Sequence, residues 1–162
     1  IALACDHTGI ELKKEMMKLL DSMGLEWKDF GTDTAISCDY PVYGYRAAKA
    51  VASGECDRGI LICGTGIGMS IAANRHAGIR AALCTTELHA RFTRLHNNAN
   101  VLCLGARVTG VELALAIMHV FLDTAFAIAS MLLISSGCTS LPTANNNPNC
   151  SGTAYRLPSA SS

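Results

Sequence analysis

The sequence carries no surplus of charge of either sign: 13 Lys and Arg balance 13 Asp and Glu, for a formal net charge of zero. Nucleic acids and anionic membrane surfaces draw a basic excess, so neither is expected as a partner. Long apolar runs are also missing. The longest uncharged one, Thr124 to Ile134, is too short to cross a bilayer. No secretory leader is visible, because the first residues run at once into Asp6 and His7; the start at Ile1 rather than Met reads as trimmed. Neither Cys-x-x-Cys nor His-x-x-x-His occurs, so ligand spacing predicts no metal site. No repeat at a solenoid period is present.

What is present is an apolar half of a 162-residue chain, enough for one domain with a proper core. Eight cysteines would suit a disulfide scaffold. However, Cys5, Cys63, Cys84 and Cys103 sit in or at the ends of apolar runs, where cysteine behaves as a small buried hydrophobe. A reducing cytoplasm is therefore expected.

Short apolar runs alternate with helical spacing. Strands are predicted over 1–5, 25–30, 59–63, 79–84 and 100–104, and helices over 10–23, 41–52, 66–75, 87–95 and 111–122. Regular alternation predicts an α/β fold: a three-layer, Rossmann-like sandwich around a five-stranded parallel sheet. Right-handed crossovers put all strand carboxyl ends on one edge, where ligands bind in open α/β sheets. Asp6-His7, Asp39-Tyr40, Cys63-Gly64-Thr65 and Arg107 all follow strands, and are expected to share that rim. Residues 127–162 differ. They hold one charged residue, Arg156, and an Asn- and Ser-rich low-complexity composition. The expected division is a domain over 1–126 and an atypical tail over 127–162, with 127–134 extending the last helix and coil or disorder beyond.

Three glycines, Gly64, Gly66 and Gly68, follow the third strand. They let the backbone approach a ligand closely, and the next helix offers free N–H groups to an anion. A P-loop is excluded because no Lys lies here, and a dinucleotide fingerprint because Met69 stands where its third Gly belongs. Met69 also stands where a Cys-x₅-Arg phosphatase needs Arg. Cys63 opens this turn; a thiol at a helix start can serve as a base, and neighbouring amides can hold an oxyanion. Thr65 adds a hydroxyl that can relay a proton. Asp6 could instead cap the following helix. His7 could bind phosphate or a sugar hydroxyl. His96 precedes a strand, which puts it near the opposite edge, so a catalytic role would require a second subunit. His76 and His89 are expected to be structural, and His119 to lie in the core or an interface.

The segment Asp57 to Asn74 resembles the signature of the ribose/galactose isomerase family, as do the blocks Ala4–Gly9, Asp39–Pro41, Gly78–Cys84, His96–Leu102 and Gly105–Val108. The similarity runs to about Phe126. It implies a dimer or tetramer with shared active sites, working without metal or other cofactor. The implied reaction interconverts ribose 5-phosphate and ribulose 5-phosphate through an enediolate. In that reading Cys63 takes the C2 proton, the amides of Gly64, Gly66, Ile67 and Gly68 hold the enediolate, and Thr65 helps move a proton between O1 and O2. His96 of the partner subunit opens the furanose ring, Asp6 contacts ring hydroxyls, His7 and Arg107 bind phosphate, and Asp39, Tyr40 and Asn97 line the site. Allose 6-phosphate and galactose 6-phosphate are alternative substrates. A degenerate sugar-phosphate binding protein is another reading, because the family's terminal Gly-Arg-His segment and arginines are absent. Codons for Phe126 to Met131 can encode Arg-His-Arg-Gln-His in another frame, so the last 36 residues are expected not to be the ancestral terminus.

Overall fold

The computed structural model describes residues 1–127. The expectations for the tail from 128 onward lie outside them. The described residues form β1 (Ala2–Cys5), α1 (Ile10–Ser22), β2 (Lys28–Asp29), α2 (Tyr40–Ala52), β3 (Gly59–Cys63), α3 (Ile67–Ala73), β4 (Ala81–Leu83), α4 (Glu87–Asn97), β5 (Val101–Gly105) and α5 (Val111–Asp123). All strand pairs are parallel, in the order β2-β1-β3-β5-β4. This is the expected three-layer α/β sandwich.

The sheet is buried on both faces, so its strands are continuously apolar, and the period-two geometry of a strand sorts their side chains. Leu3, Cys5, Ile60, Ile62, Leu102 and Leu104 pack with Leu12, Met16 and Leu20 of α1, Ala90 of α4, and Ala114, Ile117 and Phe121 of α5. Ala2, Ala4, Leu61, Cys63, Val101 and Cys103 face the other way, against Ala47, Ala48 and Val51 of α2 and Met69 and Ala73 of α3. The helix after β1 and the helix after β3 thus cover opposite faces, which opens a crevice at the carboxyl ends of these neighbouring strands.

Two sequence expectations are corrected. The second strand shrinks from 25–30 to Lys28–Asp29. Leu25 is taken up in closing α1, its N–H donating to the Leu20 carbonyl, and Gly31 turns the chain by donating to Asp29 Oδ1. The last helix ends at Asp123, where Thr124 takes an extended conformation; the expected extension over 127–134 falls beyond 127 outside the described residues. His119 is exposed and pairs with Asp123 at 3.1 Å rather than lying in the core.

All six cysteines among the described residues are free. Burial pushes the Cys5 and Cys84 thiols up to about 12 and raises Cys103 well above the ordinary range, so these three are packing groups, not nucleophiles. Among the described residues no helix is long and apolar enough to cross a membrane.

The end of α5 is held by cations. Arg58 donates to the carbonyls of Phe121 and Leu122, and Arg94 to those of Thr124 and Ala99. Both guanidinium groups also sit over the fully buried Phe121 ring, at 5.9 and 5.7 Å. Basic groups at a helix carboxyl end satisfy its orphan carbonyls and its dipole. Phe121→Ala removes the ring that fills this corner and is expected to cost about 3–5 kcal/mol. Denaturant unfolding monitored by circular dichroism measures it, with the midpoint falling and the slope unchanged.

Candidate active site

β3 delivers Cys63 to the carboxyl edge of the sheet, where register pairs it with Gly105 of β5. The ladder then runs on past the strand: Ala106 N–H donates to the Cys63 carbonyl at 2.8 Å and Arg107 N–H to the Gly64 carbonyl at 3.0 Å. These bonds seat the turn 63–66 directly on the end of β5. Gly105 allows it, since a Cβ there would lie 2.6–2.8 Å from the backbone of Thr65. Gly66 takes φ +78°, a left-handed conformation that favours glycine, and a Cβ on it would meet the Leu104 backbone at 2.9 Å.

The turn closes on the cysteine itself. Gly66 N–H donates to Cys63 Sγ at 3.1 Å, and the thiol is nearly buried at 5 % exposure. Thr65 is exposed, and its Oγ1 accepts the Ile67 N–H at 3.3 Å. Among the described residues, the amides of Gly64, Thr65 and Gly68 donate to no acceptor. A fixed sulfur beside unpartnered amides can hold a charged oxygen next to a reacting carbon.

β1 supplies the next wall. Asp6 N–H continues the ladder to the Ile62 carbonyl, and Asp6 Oδ1 accepts from Thr8 N–H at 2.8 Å and Thr8 Oγ1 at 2.5 Å. Asp6 therefore braces the turn 6–9 instead of capping α1, whose N-cap is Gly9. Thr8 and Arg107 converge on the same glycine: a Cβ on Gly64 would lie 3.7 Å from Thr8 Oγ1 and 3.5 Å from Arg107 Cδ. Asp6, Cys63, Gly64 and Arg107 thus share one rim. Tyr40 joins it from α2, its ring lying so close to Gly68 that a Cβ there would fall 2.5 Å from Cζ. Asp39 precedes Tyr40 as the N-cap of α2, exposed and making no side-chain cap bond. His7 is tied to this segment, since Cys38 N–H donates to His7 Nδ1 at 3.3 Å and the Cys38 thiol lies 3.7 Å from the same nitrogen.

His96 and Asn97 are not brought to this rim. They form the exposed last turn of α4, next to Asn100, whose carbonyl starts the ladder at Gly59. Four residue steps along β3 separate that edge from Cys63, roughly 13 Å at the usual strand rise. Two rim groups lay outside the sequence expectations. Thr8 was discernible in the Asp-x-Thr spacing that makes an Asx turn. Cys38 carried no signal, because its contact with His7 depends on the path of the loop 31–39. Among the described residues no group of three or more His, Cys, Asp or Glu side chains is arranged to hold a metal ion.

Comparison with known proteins places this geometry. The sequence profile described as Ribose/Galactose Isomerase matches residues 1–131. Ribose-5-phosphate isomerase B of Escherichia coli is 49 % identical over 126 residues, covering 78 % of this chain and 85 % of that protein. The galactose-6-phosphate isomerase subunit LacB of Clostridium acetobutylicum is 41 % identical over 126 residues, covering 78 % of this chain and 73 % of that one. The structure of Clostridium thermocellum ribose-5-phosphate isomerase B superposes with a TM-score of 0.77 at 48 % identity, covering 83 % of this chain and 95 % of that chain.

The seating of the turn is directly testable. In Gly105→Ala the new methyl meets backbone, which cannot swing aside as a side chain can, so a loss of about 1–3 kcal/mol is expected. Thermal melting measures it; Gly110→Ala is the control, since nothing lies near its Cβ position.

Proposed function

The chain belongs to the ribose/galactose isomerase family, and from that premise we propose that it interconverts ribose 5-phosphate and ribulose 5-phosphate with Cys63 as the base. The observation that carries this reading is the turn 63–66, in which one sulfur is held by the Gly66 amide while neighbouring amides stay unpartnered. Moving a carbonyl between adjacent carbons requires a proton to leave C2 and another to reach C1, with an enediolate between.

In the proposed sequence the Cys63 sulfur takes the C2 proton and the electron pair moves into a C1–C2 double bond. The negative charge passes to oxygen, facing the amides of Gly64 and Gly68. Thr65 Oγ1 hands a proton between O1 and O2, and the Cys63 thiol returns one to C1, which restores the sulfur. Arg107 and His7 grip the phosphate, and binding this unreactive end holds the reacting carbons in place. Asp6 keeps Oδ2 for a sugar hydroxyl because Thr8 occupies Oδ1. Asp39 and Tyr40 line the sugar, with Ile67 and Gly66 closing the turn beneath it.

Ring opening of the furanose falls to His96 of the partner subunit, with Asn97 beside it. The support is twofold: His96 lies at the wrong edge of its own sheet, and it ends an exposed stripe, Leu88, Phe92 and His96, at four-residue spacing on α4. The His96 and Phe92 ring centroids lie 5.3 Å apart. A homodimer or tetramer with shared sites, in a cytoplasmic setting, follows from this reading.

A second substrate reading has its own observation: LacB at 41 % identity acts in galactose-6-phosphate isomerisation by name, so hexose phosphates are the natural competitors. A degenerate, binding-only protein is a third reading, resting on the composition of residues 127–162, where Arg156 is the one charged residue.

Purified protein is expected to turn over ribose 5-phosphate, with allose 6-phosphate acting as a weaker competitor, and Cys63→Ala is expected to lose about 10²–10⁴-fold in kcat. Unchanged activity in Cys63→Ala removes the base assignment, and a folded but inactive wild type supports the degenerate reading. Mixing inactive Cys63→Ala and His96→Asn chains is expected to restore activity by forming one intact site per mixed dimer. Failure to complement removes the shared site.

A further inference from the structure

Lys13 is an unusual core residue. It lies in the first turn of α1, is 1 % exposed, and presents its ammonium to three acceptors: Asp29 Oδ2 at 2.5 Å, Asp33 Oδ1 at 2.8 Å and the Thr32 carbonyl at 3.1 Å. An ammonium has three protons, so every one is used. Stability alone does not explain such a group. Desolvating the charges offsets much of the attraction, and apolar replacements of buried ion pairs are often neutral or stabilising. What an ion pair adds over a methionine in the same space is direction. Here all three acceptors come from one short segment, Asp29 to Asp33, which the lysine fastens to α1.

The fastened segment leads to the rim. From Gly31 to Asp39 the chain forms no regular element, and 33–37 are exposed. Near its start, Thr32 N–H donates to the Cys5 carbonyl at 3.2 Å. At its far end, Cys38 meets His7 and Tyr40 lies on Gly68. Six residues before Lys13, in the turn that leads into α1, stands His7. One lysine therefore joins the two pieces of chain that carry His7 on one side and Asp39 and Tyr40 on the other.

We infer that Lys13 is a positioning residue for substrate binding: by clamping Asp29–Asp33 to α1 it holds His7, Asp39 and Tyr40 in register at the rim, while leaving the Cys63 turn untouched. This rests on the isomerase reading of the rim. The Cys63 turn is braced by β5, not by this loop, so loosening the clamp weakens the grip on substrate more than the chemistry.

Two variants and two readouts test it. Lys13→Met keeps the volume and removes the charge. Asp33→Asn alters only the outer arm, on a carboxylate that is 86 % exposed, and so spares the core. The expected result is a rise in KM for ribose 5-phosphate, about 3–10-fold in Asp33→Asn and larger in Lys13→Met, with kcat within about twofold. The second readout is the rate of Cys38 alkylation by iodoacetamide, followed by peptide mapping, expected to rise several-fold in both variants as the loop leaves His7. A lower melting temperature with KM and Cys38 labelling unchanged in Asp33→Asn overturns the inference, as does a fall in kcat at constant KM. If the wild type turns over no sugar phosphate, the isomerase reading fails by itself. Cys38 labelling still decides the clamp, faster in the variants if it exists and unchanged if it does not.

Discussion

Past Cys63 the ladder between β3 and β5 continues through the Ala106 and Arg107 amides, which donate to the Cys63 and Gly64 carbonyls. That continuation governs the rest of the rim. It forces the turn 63–66 to lie flat on the end of β5, which only a glycine at 105 permits, and it brings Arg107 over Gly64 in the same step. Once the turn is seated, the left-handed Gly66 points its amide back at the sulfur. Backbone hydrogen bonds in a buried ladder are strongly determined, because leaving one unmade costs the desolvation of both groups. The proposed base thus owes its position to main-chain geometry, not to a neighbouring side chain.

The other walls are attached more loosely. Asp6 is braced locally by Thr8, whereas Asp39 and Tyr40 arrive at the end of a loop with no ladder of its own. Such loops carry function when a rigid scaffold positions them. The Lys13 ion pairs give this loop its fixed end. Burial by itself would pull the Lys13 ammonium down, but its hydrogen bonds to Asp29 and Asp33 leave it raised above 10.5, and the bond to Lys13 lowers Asp33 below 3.8. A raised lysine contributes below its unfolded value and is lost as pH climbs through the folded one; a lowered aspartate contributes above its unfolded value and is lost as pH falls through the folded one. The clamp is therefore whole across the neutral range.

Much of this was legible in the residues. The alternation of apolar runs and helical spacing predicted every element, because buried parallel strands must be continuously apolar and their crossovers amphipathic. The strand-end positions of Asp6, Cys63 and Arg107 followed from parallel topology alone. The second strand was overread because Leu25 and Phe30 are apolar for packing: Leu25 joins the core under α1 as it closes that helix, and Phe30 packs against the opposite core face just before the turn at Gly31. Lys13 and Cys38 were invisible for a shared cause. Their roles depend on contacts with partners 16 to 31 residues away in the sequence, which no local pattern encodes. His96 was read correctly as lying at the opposite edge, since a residue that ends a helix before a parallel strand must sit at that strand's start.

The most direct test of the central claim follows the proton itself. Ribose 5-phosphate is incubated with the protein in deuterium oxide, and the sugar is examined by proton NMR during turnover. Transfer through an enediolate with Cys63 as an exchanging base predicts deuterium at C1 of ribulose 5-phosphate and at C2 of recovered ribose 5-phosphate, with no incorporation when Cys63→Ala replaces the wild type. Isomerisation without solvent label, or label that persists undiminished in Cys63→Ala, would contradict the account.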